Sequence, residues 1–98
     1  MRINEQEEKI IKEVLTKYFG ENAVIYLFGS RINDSKKGGD IDIFVEADIS
    51  LKDMVKAKIK SLVELEKLLG ERKIDLVIKN TSMKEELIHR NAKKGIRL

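Results

Sequence analysis

The feature that most constrains the fold is the segment 40–45, which reads Asp-Ile-Asp-Ile-Phe-Val and begins with an alternation of acidic and apolar residues. Successive side chains of a β-strand point to opposite faces, so a strand here turns Asp40 and Asp42 to one face and the two isoleucines and Val45 to the other. The segment therefore predicts a strand with one face in an apolar core and acids on the opposite face.

The two acids of this strand form a candidate metal site. Carboxylates so close together repel each other and would partly protonate unless a cation lies between them. Mg²⁺ prefers oxygen ligands and commonly takes one or two carboxylates together with phosphate oxygens of a substrate. Asp40 and Asp42 thus predict a magnesium site for a nucleoside triphosphate. The structural alternative is that a short Asp-x-Asp pattern arises by chance, or that its charges block unwanted strand pairing.

A glycine–serine pair lies upstream, directly after the apolar and β-prone run 23–28. Glycine has no Cβ to obstruct a phosphate, exposed amides at a turn bind anions, and a serine hydroxyl adds a donor. Gly29 and Ser30 are therefore candidate triphosphate-binding residues, with an ordinary strand-ending turn as the alternative. Arg31 follows them, and its guanidinium can fork onto phosphate oxygens.

A third acid lies in the alternating segment 73–78, which predicts another strand. Asp75 is turned away from the apolar Ile74 and Leu76. Because an unpartnered buried carboxylate is costly, Asp75 lies at a solvated strand end, pairs with a cationic side chain, or joins a metal site. If its strand neighbours the strand of Asp40 and Asp42, the three carboxylates converge.

Taken together, these residues resemble the minimal nucleotidyltransferases of the DNA polymerase beta superfamily, small prokaryotic proteins often encoded beside a HEPN-domain partner. That family has a strand ending in Gly-Ser, a loop, a (Ser/Gly)-Asp-x-Asp strand and a later third Asp. Here these are Gly29-Ser30, Gly39-Asp40-Ile41-Asp42 and Asp75. Many relatives have serine where Gly39 stands, a departure that removes a hydroxyl contact and keeps the metal ligands.

The resemblance implies a fold as well as a site. The expected fold is α+β and two-layered, with a short mixed sheet and the order α-β-(short α)-β-α-β-α, in a single domain over residues 1–98. Local signals agree with this order. Asn4 with Glu7 predicts the start of a first helix, and Ser50 with Asp53 predicts the start of a long second one. Thr81 or Ser82 predicts the start of a last helix, before a short tail at 96–98.

The chemistry implied by the resemblance is transfer of a nucleoside monophosphate, AMP from ATP in the first instance, to a hydroxyl acceptor. Two Mg²⁺ ions are expected, with Asp40 and Asp42 bridging both and Asp75 holding the ion that activates the hydroxyl. Gly29 and Ser30 would bind the triphosphate. The expected acceptor lies on a HEPN-domain toxin, for which this chain would be the antitoxin. The alternative is a non-catalytic binding module that neutralises such a protein by complex formation.

Composition narrows the function classes further. The net charge is only +3, and basic and acidic residues are interspersed, so direct nucleic-acid binding is not expected. The chain has no cysteine, which excludes disulfides and cysteine-based zinc sites. The apolar runs are short and the start of the chain is polar, which predicts a cytoplasmic protein without membrane association. With 98 residues, acceptor choice is expected to come from a partner or from a homo-oligomer.

Two further interpretations concern the helices. The long helix has more apolar residues than one stripe needs, with Val63 and Leu68 beyond the main face. Core burial or ordinary scattered exposure is the favoured interpretation, and a partner surface is the alternative. His89, the only histidine, is predicted to be solvated and not catalytic because it lies among charged residues.

Overall fold

The computed structural model describes residues 4–28, 41–70, 73–82 and 87–98. In chain order these residues form α1 (Glu5–Phe19), β1 (Val24–Leu27), β2 (Ile41–Ala47), α2 (Leu51–Leu69), β3 (Ile74–Asn80), α3 (Leu87–Ala92) and β4 (Ile96–Arg97). The short helix predicted after β1 falls outside the described residues. Gly29, Ser30, Arg31, Gly39 and Asp40 also lie outside them.

The strands form one mixed sheet in the order β3-β2-β1-β4. The β2 and β3 strands are parallel and are joined by α2, whereas β1 is antiparallel to both β2 and β4. The predicted α+β fold with a short mixed sheet is therefore confirmed. The tail at 96–98 does more than the sequence indicated. It forms the edge strand β4 beside β1, and the amide of Leu98 donates to the carbonyl of Ile25 over 2.8 Å.

The boundaries of α1 and α2 follow the capping signals in the sequence, whereas the start predicted for the last helix at Thr81 or Ser82 adjoins residues 83–86, which lie outside the described ranges. The Asn4 side chain accepts from the amide of Glu7 at 2.8 Å, and the Glu7 carboxylate accepts from the amide of Asn4 at 3.1 Å, which confirms the capping box of α1. The Ser50 hydroxyl accepts from the amide of Asp53 at 3.1 Å at the start of α2. Both helices end at glycines with positive φ, namely Gly20 and Gly70, a backbone conformation that costs glycine little.

The α1 and α2 helices pack on one face of the sheet. Their buried side chains meet the odd-numbered residues of β1 and β2, and this contact forms the apolar core. The core consists of Ile11, Val14, Leu15, Phe19, Ile25, Leu27, Ile41, Ile43, Val45, Ala47, Met54, Ala57, Leu65 and Leu76. Because β-strand side chains alternate, the even-numbered residues of β2, Asp42 among them, lie on the opposite face.

The buried side of α2 differs from the broad stripe suggested by its apolar residues. Met54, Ala57, Ser61 and Leu65 face the core, and the helix approaches the other elements through the small residues at 57 and 61. Val63 and Leu68 are about half exposed. Of the two accounts favoured from the sequence, core burial is therefore wrong for these two positions, and exposure is what the structure shows.

None of the helices in the described ranges is long and apolar enough to cross a membrane.

Candidate active site

Asp42 and Asp75 occupy paired positions in the neighbouring strands β2 and β3. Paired residues of parallel strands point to the same face, and adjacent strands lie about 4.8 Å apart. Asp42 is partly exposed and Asp75 is exposed. The fold therefore brings two of the three predicted metal ligands side by side on the face of the sheet opposite the main core.

The start of both strands is fixed by main-chain hydrogen bonds. The amide of Ile41, one residue before Asp42, donates over 2.9 Å to the carbonyl of Lys73, two residues before Asp75. Because the register pairs Asp42 with Asp75, the two residues stay on neighbouring backbone positions for as long as the sheet is intact. Two negative charges at paired positions repel each other, and a divalent cation bound between them would remove that repulsion.

The donor set suits Mg²⁺ because it consists of carboxylate oxygens that solvent and phosphate ligands can reach. Asp42 and Asp75 are the described residues that could hold such an ion. Within the described ranges there is no group of three or more acidic, histidine or cysteine side chains that could hold a metal. The third predicted ligand, Asp40, precedes β2 directly in the sequence and lies outside those ranges.

The carboxyl end of β1 lies at the same end of the sheet as the start of β2 and β3, where the two acids are. The amide of Phe28 donates to the carbonyl of Asp42 over 3.0 Å, so this end of β1 is hydrogen-bonded to the strand that carries the acid. Gly29 and Ser30 follow Phe28 directly in the sequence. Their own positions, and that of Arg31, are outside the described residues.

Beside the two acids, on the same face of the sheet, lies an aromatic layer that the sequence did not reveal. The Phe44 ring is fully buried, with Tyr26 at a centroid distance of 6.0 Å on one side and His89 of α3 at 5.6 Å on the other. The prediction of a solvated His89 was wrong, because only 4% of its surface is exposed. A signal was present, since His89 and the buried Ala92 are three residues apart and share one face of α3.

An ionic cluster closes the far end of this face. Glu46 of β2 pairs with Lys79 of β3 at 3.1 Å and with Lys93, just after α3, at 3.2 Å. Burial opposes ionisation of Glu46, but the hydrogen bonds from Lys79 and Lys93 outweigh it, and the pKa of the Glu46 carboxyl is lowered. The cluster links β2, β3 and the residue just after α3. Glu46 lies four residues along β2 from Asp42, so we assign the cluster a structural role and not a role in the site.

Residues 8–98 match the family model described as Polymerase beta, Nucleotidyltransferase. The matched region contains all of the candidate site residues from Gly29 to Asp75, as well as the sheet and the long helix. Among curated proteins, none matches the chain.

Proposed function

The chain belongs to the polymerase beta nucleotidyltransferase family, and we propose that it transfers a nucleoside monophosphate, AMP from ATP, to a hydroxyl group. The proposed ligands of two Mg²⁺ ions are Asp40, Asp42 and Asp75. The observation that carries the proposal is the pairing of Asp42 with Asp75 in register on one accessible face. Stability of the fold does not require two acids at adjacent positions of neighbouring strands, whereas cation binding explains them.

The proposed reaction is an in-line displacement at the α-phosphorus. The acceptor oxygen forms a bond to that phosphorus, the bond to the bridging oxygen breaks, and pyrophosphate leaves. Bound Mg²⁺ supplies positive charge to the phosphate oxygens and lowers the pKa of the attacking hydroxyl. Asp75, the more exposed of the two described acids, is the group we propose to receive the hydroxyl proton. Gly29 and Ser30 would hold the triphosphate, with Arg31 adding a fork of donors.

The acceptor we propose is a side-chain hydroxyl of a HEPN-domain protein, for which the chain would act as a cytoplasmic antitoxin. Support comes from the resemblance of the Gly-Ser, Asp-x-Asp and Asp75 elements to minimal nucleotidyltransferases. It also comes from the exposure of Asp75, since an acid at the surface can be reached by a large folded acceptor.

The test is to incubate the purified chain and the protein that co-purifies with it with Mg²⁺ and ATP labelled either at the α- or at the γ-phosphate. Nucleotidyl transfer predicts that the partner acquires the α-label and not the γ-label, with release of pyrophosphate. Asp42→Asn and Asp75→Asn should each abolish labelling. Asp53→Asn is the matched control, because it makes the same chemical change in the first turn of α2, away from the site.

Two results would contradict the proposal. Labelling that survives in Asp75→Asn would remove this residue from the reaction. A stable complex that acquires no α-label would instead support the non-catalytic binding module.

A further inference from the structure

The outer side of α2 carries four large apolar side chains at intervals of four residues, Leu51, Val55, Ile59 and Val63, which we call the α2 ridge. Each of them is between 48% and 60% exposed. Single exposed hydrophobic residues are common on protein surfaces, but a continuous row along one helix is a feature of interaction sites.

The α2 ridge points away from the rest of the fold. The helix buries Met54, Ala57, Ser61 and Leu65 on its inner side, about half a turn from Ile59. Because α1 and α2 cover one face of the sheet and Asp42 and Asp75 lie on the other, an occupant of the ridge leaves the two acids accessible.

Two of the charges beside the ridge are placed symmetrically about its centre. Lys52, Ile59 and Glu66 are seven residues apart in sequence, so they lie almost on one line along the exposed side, with a drift of about 20° per step. The line has a base at one end, an apolar residue at its centre and an acid at the other end. Val55 and Val63 flank the centre at equal distances of four residues.

This arrangement complements itself under a twofold rotation about Ile59. A second α2 helix placed antiparallel brings Lys52 opposite Glu66 of the second copy, Val55 opposite Val63, and Ile59 opposite itself. A parallel copy would instead place base against base and acid against acid, which is unfavourable. Twofold pairing of identical surfaces is the commonest form of protein oligomer.

We propose that the chain forms a homodimer through antiparallel contact of the α2 ridge with the same ridge of a second copy. Nearly antiparallel helices pack with the side chains of one between those of the other at a crossing angle near +20°, which keeps Lys52 opposite Glu66 of the second copy. A groove of about 370 Å³ lies beside the ridge and can receive side chains of the second copy; it is lined by Tyr18, Ile59, Lys60, Val63, Glu64 and Lys67.

The length of α2 limits the size of this contact, because a 19-residue helix is about 28 Å long. The contact is thus smaller than a standard interface of about 1,600 Å², and a micromolar dimer is expected.

The first test is sedimentation velocity of the full chain over a concentration series in the micromolar range. The wild-type chain should shift from monomer to dimer as concentration rises. Ile59→Lys places two ammonium groups at the twofold axis and should raise the dissociation constant at least about tenfold. Leu68→Lys is the matched control, because Leu68 is also about half exposed on α2 but lies nine residues, or half a turn, from Ile59.

The second test uses the charge pair. Lys52→Glu alone and Glu66→Lys alone each put like charges opposite each other twice and should weaken the dimer. A mixture of the two variants should form a heterodimer as strong as the wild-type dimer, because each base then faces an acid. Circular dichroism checks that every variant keeps its helices.

Four outcomes would overturn the proposal. These are a wild-type chain that stays monomeric, a dimer that is insensitive to Ile59→Lys, a mixture of charge variants that does not recover, or a monomer whose binding to a co-purifying protein is lost in Ile59→Lys. The last of these would assign the ridge to a different partner.

Discussion

At the scale of single residues, the most informative positions are three acids that the sheet holds on one of its faces. Asp42 and Asp75 are paired on adjacent strands whose starts are hydrogen-bonded together. Glu46, four residues further along the same strand, is paired with two lysines. One face of the sheet therefore carries two adjacent acids, which we propose as cation ligands, and a third acid that is paired with two lysines of the chain.

The repulsion between the two site acids leads to a prediction for Asp75→Asn. Two unit charges about 5 Å apart in water repel by about 1 kcal/mol, and a change of this size shifts Tm by about 4–8 °C in a domain of up to 100 residues. In the presence of a chelator, Asp75→Asn should therefore raise Tm by up to this amount. Added Mg²⁺ should raise the Tm of the wild-type chain and have little effect on the variant, as measured by differential scanning calorimetry.

Glu13→Gln is the control for this measurement, because it removes an exposed acid of α1 that faces away from the site. Its response to Mg²⁺ should equal that of the wild type. A Tm that rises with Mg²⁺ equally in Asp75→Asn would show that the stabilising ion binds elsewhere.

The lowered pKa of Glu46 predicts how stability depends on pH. Its ordinary value is 4.5, and the value in the folded chain lies below that. Ionised Glu46 therefore stabilises the fold above about pH 4.5, and this contribution is lost as the pH falls through the lowered pKa. Glu46→Gln should lower the free energy of unfolding at pH 7 by about 1.5–3 kcal/mol, the usual worth of a hydrogen bond to a charged group.

Urea unfolding of both proteins at a series of pH values between 3 and 7 provides the measurement. The difference between wild type and Glu46→Gln should be constant at neutral pH and shrink below about pH 4.5. A difference that stays the same across the series would mean that Lys79 and Lys93 do not lower this pKa.

At the scale of secondary-structure elements, the helices are well predicted by local sequence. The capping box at Asn4 and the cap at Ser50 each satisfy amides that the first turn of a helix leaves unbonded. Such signals involve residues three positions apart, so they need no knowledge of the rest of the fold. The fourth strand, by contrast, exists because 96–97 find a partner in β1, which is distant in the sequence.

The entry into β4 depends on Gly95. A Cβ at this position would overlap the main-chain carbonyl of Leu27 in β1. Gly95→Ala should therefore displace β4 and destabilise the fold by about 1–3 kcal/mol, the usual cost of overpacking. Thermal unfolding measures the change, with the exposed Lys94→Ala as the neighbouring control. Equal Tm values for the two variants would show that the backbone at 95 can move away from Leu27 without cost.

At the scale of the whole molecule, the sheet separates two environments. The helices α1 and α2 cover one face and bury the apolar core, while the other face carries the site acids, the Phe44 layer and the Glu46 cluster. The apolar core and the proposed chemistry thus lie on opposite faces of the same strands, and a substitution in the core should affect stability without direct contact with the site acids.

Two leucines of α2 that differ in burial test the position of this helix in the fold. Leu65 is fully buried, whereas Leu68 is about half exposed. Leu65→Ala should reduce the free energy of unfolding by about 2–5 kcal/mol, and Leu68→Ala by about 1 kcal/mol or less. Denaturant unfolding at a fixed low protein concentration gives both values. Similar losses in the two variants would contradict the different burial of Leu65 and Leu68.

Much of the site is predictable from sequence because it depends on short-range patterns. Alternation around Asp42 and Asp75 indicated which face each acid would take, and that face is the one on which the strand register pairs them. The burial of His89 was not predicted because it depends on contact with Phe44, which belongs to an element far away in the chain. The ion pairs of Glu46 were not predicted for the same reason, since both of its lysine partners lie more than 30 residues away in sequence.

The sequence by itself determined the two long helices, the polarity of the strands and membership of the polymerase beta nucleotidyltransferase family, because caps, periodicity and motif spacing are local properties. Only the tertiary structure decided that β2 and β3 pair in the register that sets Asp42 beside Asp75, that the last residues form an edge strand, and that half of the apolar residues of α2 face solvent. These outcomes depend on which elements pack against which, and that choice minimises the free energy of the whole chain and not of any one segment.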